Sequence, residues 1–224
     1  MATQPDTSPP PRIPLSRERV LRTAIELADA DGLESLSMRK LGRALGVEAM
    51  SLYNHVANKE DLLDGLADII VGEIELPSSG EDWRSAMRRR AISARRVLTR
   101  HPWANGLLES RVNPSPTRLR YPDAVLGCLR DAGFSIEMAI HAFFALDSYI
   151  YGFVIQEKNL PSGTPDELAG IGEMMLRTVP ASEYPHLNEI LADHVLKKGF
   201  DYEVEFEFGL DLLLDGLEQA RDVG

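Results

Sequence analysis

The sequence predicts an all-α protein in two unequal parts, with three short helices in a compact head and a larger helical body following it. Three observations carry this reading. Apolar residues recur at intervals of three and four along most of the chain. Good capping residues stand before these runs and glycines after them. The first runs are short and crowd into about fifty residues, whereas the later ones are long. At 224 residues the chain has room for one full core and a small satellite domain.

Residues 1–15 hold Pro5, Pro9, Pro10, Pro11 and Pro14 among small polar residues, a composition that neither forms a helix nor buries surface, so they read as a flexible arm. Ser16 can cap a first helix, Glu18 suits its positive end, and Val20, Leu21, Ala24, Ile25, Leu27 and Ala28 form its apolar stripe before Gly32 stops it. Ser37 starts a second helix between Leu36 and Leu41, the spacing of a hydrophobic staple, and Gly46 ends it. A third short helix is expected from Glu48 to His55. Asn58 then caps a fourth that begins at Lys59 and carries Leu62, Leu63, Leu66, Ile69 and Ile70. The head is thus 16–60 and the body 61–224.

In the body, helical periodicity runs over 83–100, 121–132, 136–156 and 202–220, with Pro- and Gly-bearing loops at 112–116 and 160–165. One stretch is ambiguous. Tyr202, Val204, Phe206 and Phe208 alternate with glutamates as a strand would, but Phe206, Leu210, Leu213, Leu214 and Leu217 have helical spacing and a lone strand would lack a partner, so a helix is expected. Met138 to Ile155 approaches transmembrane length. It contains His141, Asp147, Ser148, Tyr149 and Tyr151, which favours a central buried helix over a membrane span.

The composition, 44% apolar and 26% charged, is that of an ordinary globular chain, and the net charge is -11. That charge is unevenly spread. Residues 12–59 hold eight basic against six acidic residues, whereas 60–224 hold 16 against 28. A slightly basic head on an acidic body can still approach phosphate while the body is repelled. Cys128 is a single cysteine and cannot form an internal disulfide, and no leader pattern follows Met1, so a cytoplasmic protein is expected.

The chemistry concentrates between Ser37 and Leu63. Gly42 is small where two helices must cross closely, Gly46 permits a sharp turn, and Leu41, Leu45, Val47, Leu52 and Val56 can fill a small core. This leaves Arg39, Ala49, Met50, Ser51, Tyr53, Asn54, His55 and Lys59 outward, with Ser37 at the start of the pair. The ordered set Leu45, Gly46, Val47, Leu52, Tyr53, His55, Val56, Asn58, Lys59 and Leu62 closely resembles the head of the TetR family. The resemblance implies a helix-turn-helix DNA-binding head, a ligand-binding and dimerisation body, a homodimer, and a double-stranded DNA operator as partner.

By that resemblance, 48–55 is the recognition helix in the major groove. Ala49 and Met50 would offer apolar contact to bases and Ser51 one hydrogen bond, and Asn54 is the amide suited to a bidentate contact with adenine. Tyr53, His55, Lys59 and Arg39 suit phosphates, although Tyr53 could instead pack against the helix base and His55 make a helix-end hydrogen bond. Arg12 would let the arm reach a groove, against the plainer reading of a tail.

Residues 83–152 and the C-terminal stretch around 206–218 also resemble the branch containing the tetracycline repressor. In that namesake an Asn, a His and a Gln hold tetracycline and its magnesium; the matching places here read as Arg90, Leu108 and Cys128 or its neighbour, so neither metal-chelated tetracycline nor any cofactor is expected. A pocket for an unknown small-molecule effector could be lined by Met87, Trp103, Phe143, Phe144, Tyr151, Met174 and Met175, with His141, Asp147 or Gln156 as polar anchors. The same aromatic and Met residues could equally be plain core. Asp147 would select amines or hydroxyls if it faced a cavity, or could instead satisfy a buried hydroxyl or an Arg partner.

The runs Arg88-Arg89-Arg90 and Arg95-Arg96 read as a solvated face or as partners of the acidic body rather than as a nucleic-acid surface. No phosphate-cradling glycine loop and no HExxH pair is visible, and His55, His101, His141, His186 and His194 are scattered, so an enzyme is not expected. A helical adaptor would not need a groove-sized recognition helix. The expected function is a DNA-binding transcriptional repressor, released from a near-palindromic operator by a small ligand.

Overall fold

Ser16 opens the first helix of the computed structural model, in which residues 14–78, 80–111, 115–159, 165–196 and 201–223 are described. Its hydroxyl accepts from the backbone N–H of Arg19 at 3.2 Å, and α1 runs Arg17–Asp31 until Gly32, at φ 80°, stops it. A single 3₁₀ turn, Leu33–Ser35, leads to Ser37, which caps α2 (Met38–Leu45) in the same way, accepting from Lys40 at 3.2 Å. Then come α3 (Ala49–Leu52) and α4 (Lys59–Glu73), the latter capped by Asn58, whose side-chain oxygen accepts from Asp61 N–H at 2.8 Å.

The third helix is shorter than the sequence suggests. Beyond Leu52 the amides of Tyr53, Asn54 and His55 reach back three residues, to Met50, Ser51 and Leu52 at 3.3, 3.4 and 2.9 Å, so the α-helix tightens into a turn. The cause is proximity: Val56 must be buried and Asn58 must cap α4 within the next few residues, which leaves no room for a further α-turn.

The body holds α5 (Trp83–Arg100, capped by Asp82), α6 (Ala104–Ser110), α7 (Pro116–Asp131, capped by Ser115), α8 (Ile136–Asn159), α9 (Pro165–Thr178), α10 (Pro185–Ile190, continued by a π turn over Leu191–Val195) and α11 (Tyr202–Val223). Every regular element among the described residues is helical, and α11 resolves the strand-or-helix ambiguity in favour of helix. The core is built mostly from α5, α7, α8 and α11, through residues such as Met87, Leu98, Val125, Leu129, Leu146, Ile150, Phe206 and Leu210.

α7 begins five residues before its apolar period does, because Ser115 and Pro116 form a strong helix start. Most of the expected arm (1–13) and the middles of the expected loops (112–114 and 160–164) lie outside the described residues. The chain divides into two compact units, Met1–Leu66 and Ala67–Gly224, and the division falls inside α4.

α8, expected as a central buried helix, is buried on one face only. It buries Ala139, Ala142, Leu146, Ile150 and Val154, while Ile136, Ile140, Phe144 and Ile155 are exposed. It is long and apolar enough to cross a membrane by length and composition alone, yet it carries Asp147 bonded to Arg90 of α5. Its buried face therefore joins the core of the body.

Candidate nucleic-acid interface and ligand site

Gly42 sets the geometry of the head. A Cβ there would lie 2.9 Å from the carbonyl oxygen of Val47 and 3.2 Å from Cα of Ala49, so α2 and the start of α3 touch backbone to backbone. Gly46 adopts φ 69°, the left-handed conformation that glycine reaches without steric cost, and the Val47 amide closes onto Gly42 O at 2.9 Å. Beneath the turn, Leu41, Leu45, Leu52 and Val56 are buried together with residues of α1 and α4.

The outer side of this pair carries the predicted DNA-contacting residues. Ser37, Arg39, Met50, Tyr53, Asn54 and Lys59 are exposed, and Ala49, Ser51 and His55 are half-buried. Met50 is 75% exposed, an unusual position for a flexible apolar side chain without a partner. The hydroxyl of Ser37 is engaged by its own cap. The carbonyl of His55 accepts from Arg17 Nη1 at 3.0 Å, so the helix-end bond at this position is made by backbone rather than by the imidazole.

Two residues that sequence reasoning missed hold this turn in place. Arg17, at the start of α1, forms a two-pronged pair with Asp61 at 2.7 and 2.8 Å, and Asp61 also accepts from the Ala57 amide at 2.8 Å. The Arg17 hydrogen bond, helped by the amide of Ala57, holds the Asp61 carboxyl below its ordinary range. The available signal was an acidic residue three places after a helix cap. Nothing in the local pattern pointed to a partner 44 residues away.

In the body, successive residues of α5 point about 100° apart and reach different neighbours. Arg88 binds Glu207 and Asp211 of α11 at 2.7 and 3.2 Å, Arg89 binds Glu75 at 3.1 Å, and Arg95 binds Glu157 of α8 at 2.7 Å. These arginines are occupied by the acidic body, one of the two readings left open by their sequence.

Arg90 is different because it is buried, at 1% exposure. Its Nη2 donates to the carboxylate of Asp147, its guanidinium lies 5.2 Å from the ring centre of Tyr121, and its Nε and Nη1 have no hydrogen-bond partner. Burial pushes the Asp147 carboxyl up while Arg90 pulls it back. Tyr151 is raised to about 12, chiefly by burial, and Tyr121 is raised as well, so both hydroxyls keep their protons at neutral pH. Asp147 thus has the Arg partner that was one of its expected alternatives.

The structure brings together two of the predicted ligand residues, Asp147 and Tyr151, with Arg90, which stands at one of the places matched to the namesake's ligand-holding residues, and with Tyr121, which the sequence had not singled out. Met87 is in the core at 1% exposure, and Trp103 and Phe143 pack partly buried against it. His141, Phe144, Met174 and Met175 are exposed, and His141 has Glu137 as its neighbour at 3.7 Å. These four lie away from the Arg90 group because helical spacing fixes which residues share a face but not whether that face is inside. Gln156 is exposed, and Asn105 of α6 keeps its side-chain oxygen buried without a partner. Among the described residues no cluster of His, Cys, Asp or Glu is arranged to hold a metal ion.

Residues 20–66 match the family described as bacterial regulatory proteins of the tetR family, and residues 76–221 match the tetracyclin repressor-like C-terminal domain. The chain belongs to the TetR family. TetR proteins are DNA-binding transcriptional regulators, so the exposed α2–α3 surface is on a DNA-binding domain and the chain is not an enzyme. The HTH-type transcriptional repressor DrrR1 of Streptomyces coeruleorubidus is 34% identical over 224 residues, covering 96% of this chain and 81% of that one. Tetracycline repressor protein class C of Escherichia coli is 34% identical over 210 residues, covering 92% of each. Among solved structures, ActR of Streptomyces coelicolor in complex with actinorhodin superposes with a TM-score of 0.73 at 28% identity, over 93% of this chain and 99% of that one.

Proposed function

We propose that this TetR regulator is a cytoplasmic repressor that binds a near-palindromic operator as a homodimer and leaves it when a small ligand enters the body. The exposed α2–α3 surface around Met50 carries the proposal, because it presents base-reading and phosphate-holding side chains on a backbone fixed by Gly42. In this reading Ala49, Met50, Ser51 and Asn54 meet base edges, Arg39, Tyr53, His55 and Lys59 hold phosphates, and Ser37 keeps α2 capped against the groove. Residues 16–60 bind DNA, and 61–224 sense the ligand and dimerise.

Dimerisation is supported by two apolar stripes left in water. On α8, Ile136, Ile140 and Phe144 repeat every four residues, and on α11 so do Val204, Phe208 and Leu212, all of them exposed. Two such helices from each copy would form a four-helix interface. Release by ligand is supported by relatives named as repressors and by a similar structure solved with actinorhodin.

A route for the signal lies within the body. On α7, Tyr121 sits at Arg90, and one turn earlier Arg118 binds Asp68 of α4 at 3.0 Å, with Ser115 on the same carboxylate at 2.6 Å. A ligand that moves α7 pulls on α4, the helix that begins at Lys59, and so changes the fit of the recognition helices to the groove. The test is a gel shift with the promoter of the protein's own gene or a neighbouring one. A retarded band that disappears with a specific competitor supports the proposal, and failure to bind any duplex at moderate salt refutes it.

A further inference from the structure

A helix of only four residues, as α3 is, cannot hold its own shape, so the placement of its side chains is set from outside it. At its start the close crossing at Gly42 fixes it against α2. Its end is looser, since the Tyr53 and Asn54 amides make bonds of 3.3 and 3.4 Å, longer than the usual N–H···O range. Here one side chain reaches in from α1. Arg17 Nη1 donates to the carbonyl of His55 at 3.0 Å and to Asp61 Oδ2 at 2.8 Å, while its Nη2 donates to Asp61 Oδ1 at 2.7 Å. Asp61 Oδ2 also accepts from the Ala57 amide at 2.8 Å, and the Asp61 amide is held by Asn58 at the same distance. One guanidinium thus grips the end of the recognition turn and the first turn of α4 together, with a forked geometry that a point charge lacks.

The side chains of Arg17 and Asp61 are 45% and 32% exposed, and an ion pair this accessible to water adds little to the stability of a fold. Its directional bonds still dictate where the turn lies. Resting on the reading of Tyr53, Asn54 and His55 as operator contacts, we propose that Arg17 is a positioning residue for operator recognition. It sets the turn that carries these three side chains, and it holds no phosphate itself because its fork is turned onto Asp61 and the His55 carbonyl.

The full chain is titrated, by fluorescence anisotropy at several salt concentrations, into the duplex that the wild type enriches most from a randomised pool and into a scrambled version of it. Arg17→Gln should bind the enriched duplex roughly tenfold or more weakly, the scrambled one within about twofold of wild type, and with an unchanged salt dependence. Lys40→Gln breaks a pair of the same kind near the other end of α1, with Asp31 at 2.8 Å, and should leave all three readings near wild type. Circular dichroism melts check that both variants fold. Should Arg17→Gln fail to fold, Arg17→Lys keeps a charge opposite Asp61 without the fork, and a smaller loss confined to the enriched duplex is expected of it.

Equal losses on both duplexes, with the salt dependence reduced by about one phosphate per protomer, would make Arg17 a phosphate contact and overturn the proposal. So would a lowered melting temperature with both affinities intact, which is the mark of a merely structural pair, or the same selective loss in Lys40→Gln. A wild type that enriches no duplex would bring down the operator reading and this proposal with it. A wild-type preference that survives undiminished in Arg17→Gln would overturn the proposal alone.

Discussion

Gly42 and Asp61 act at the same turn and differ in how far their causes lie along the chain. At Gly42 a methyl group would press on the Val47 carbonyl at 2.9 Å, and a backbone oxygen has no rotamer by which to yield. Gly42→Ala should therefore destabilise the head by about 1–3 kcal/mol and weaken DNA binding, read as a lower melting temperature and a weaker gel shift. A wild-type melt with wild-type affinity would contradict the close crossing. Asp61 has a carboxyl pKa that the Arg17 hydrogen bond lowers from 3.8, so its contribution is complete above that value and is lost as the pH falls through the folded pKa. Asp61→Asn should flatten the acid limb of head unfolding below about pH 4, followed by amide exchange. The glycine was legible in the sequence because a mid-helix glycine costs stability unless something needs it. The Arg17–Asp61 clamp was not, since a charge says nothing about a partner 44 residues away. For DNA, Lys59→Ala should weaken binding to all duplexes and reduce the salt dependence by about one phosphate, whereas Ser51→Ala should alter base preference. The reverse pattern would exchange the roles of these two residues.

Among the helices, legibility followed the length and purity of the apolar pattern. α5, α8 and α11 announced themselves over four or more turns, and their observed starts agree closely with the periodicity. α6, α9 and α10 did not, because α6 and α10 are only seven and six residues long and Gly170 and Gly172 interrupt α9. The pattern also left open which apolar face is inside. On α8 one apolar face is core and the other is water-exposed, with Phe144 at 62%, so a residue expected in a pocket lies on the outer stripe. That stripe and the one on α11 make a prediction at the same scale. Phe144→Glu combined with Leu212→Glu should yield a folded monomer in sedimentation, with helical content retained, while the wild type sediments as a dimer at micromolar concentration. A wild-type monomer would remove the interface.

At the scale of the whole molecule, the slightly basic head meets less repulsion from a duplex than the acidic body does. Linkage then requires that any ligand which weakens the operator be weakened by the operator to the same degree, typically 5- to 150-fold. Asp68→Asn should shrink that factor with little effect on operator affinity itself, because it cuts the α7–α4 connection without touching the recognition surface. The claim beneath all of these is recognition of a specific DNA site by two copies of the α2–α3 surface. It is tested most directly by fluorescence anisotropy of a labelled duplex from the protein's own promoter, titrated with the full chain at moderate salt and compared with a scrambled duplex. Saturation at two protomers per duplex, at concentrations roughly a thousandfold below those needed for the scrambled sequence, is the predicted result. Equal affinity for both duplexes, or saturation at one protomer, would contradict it.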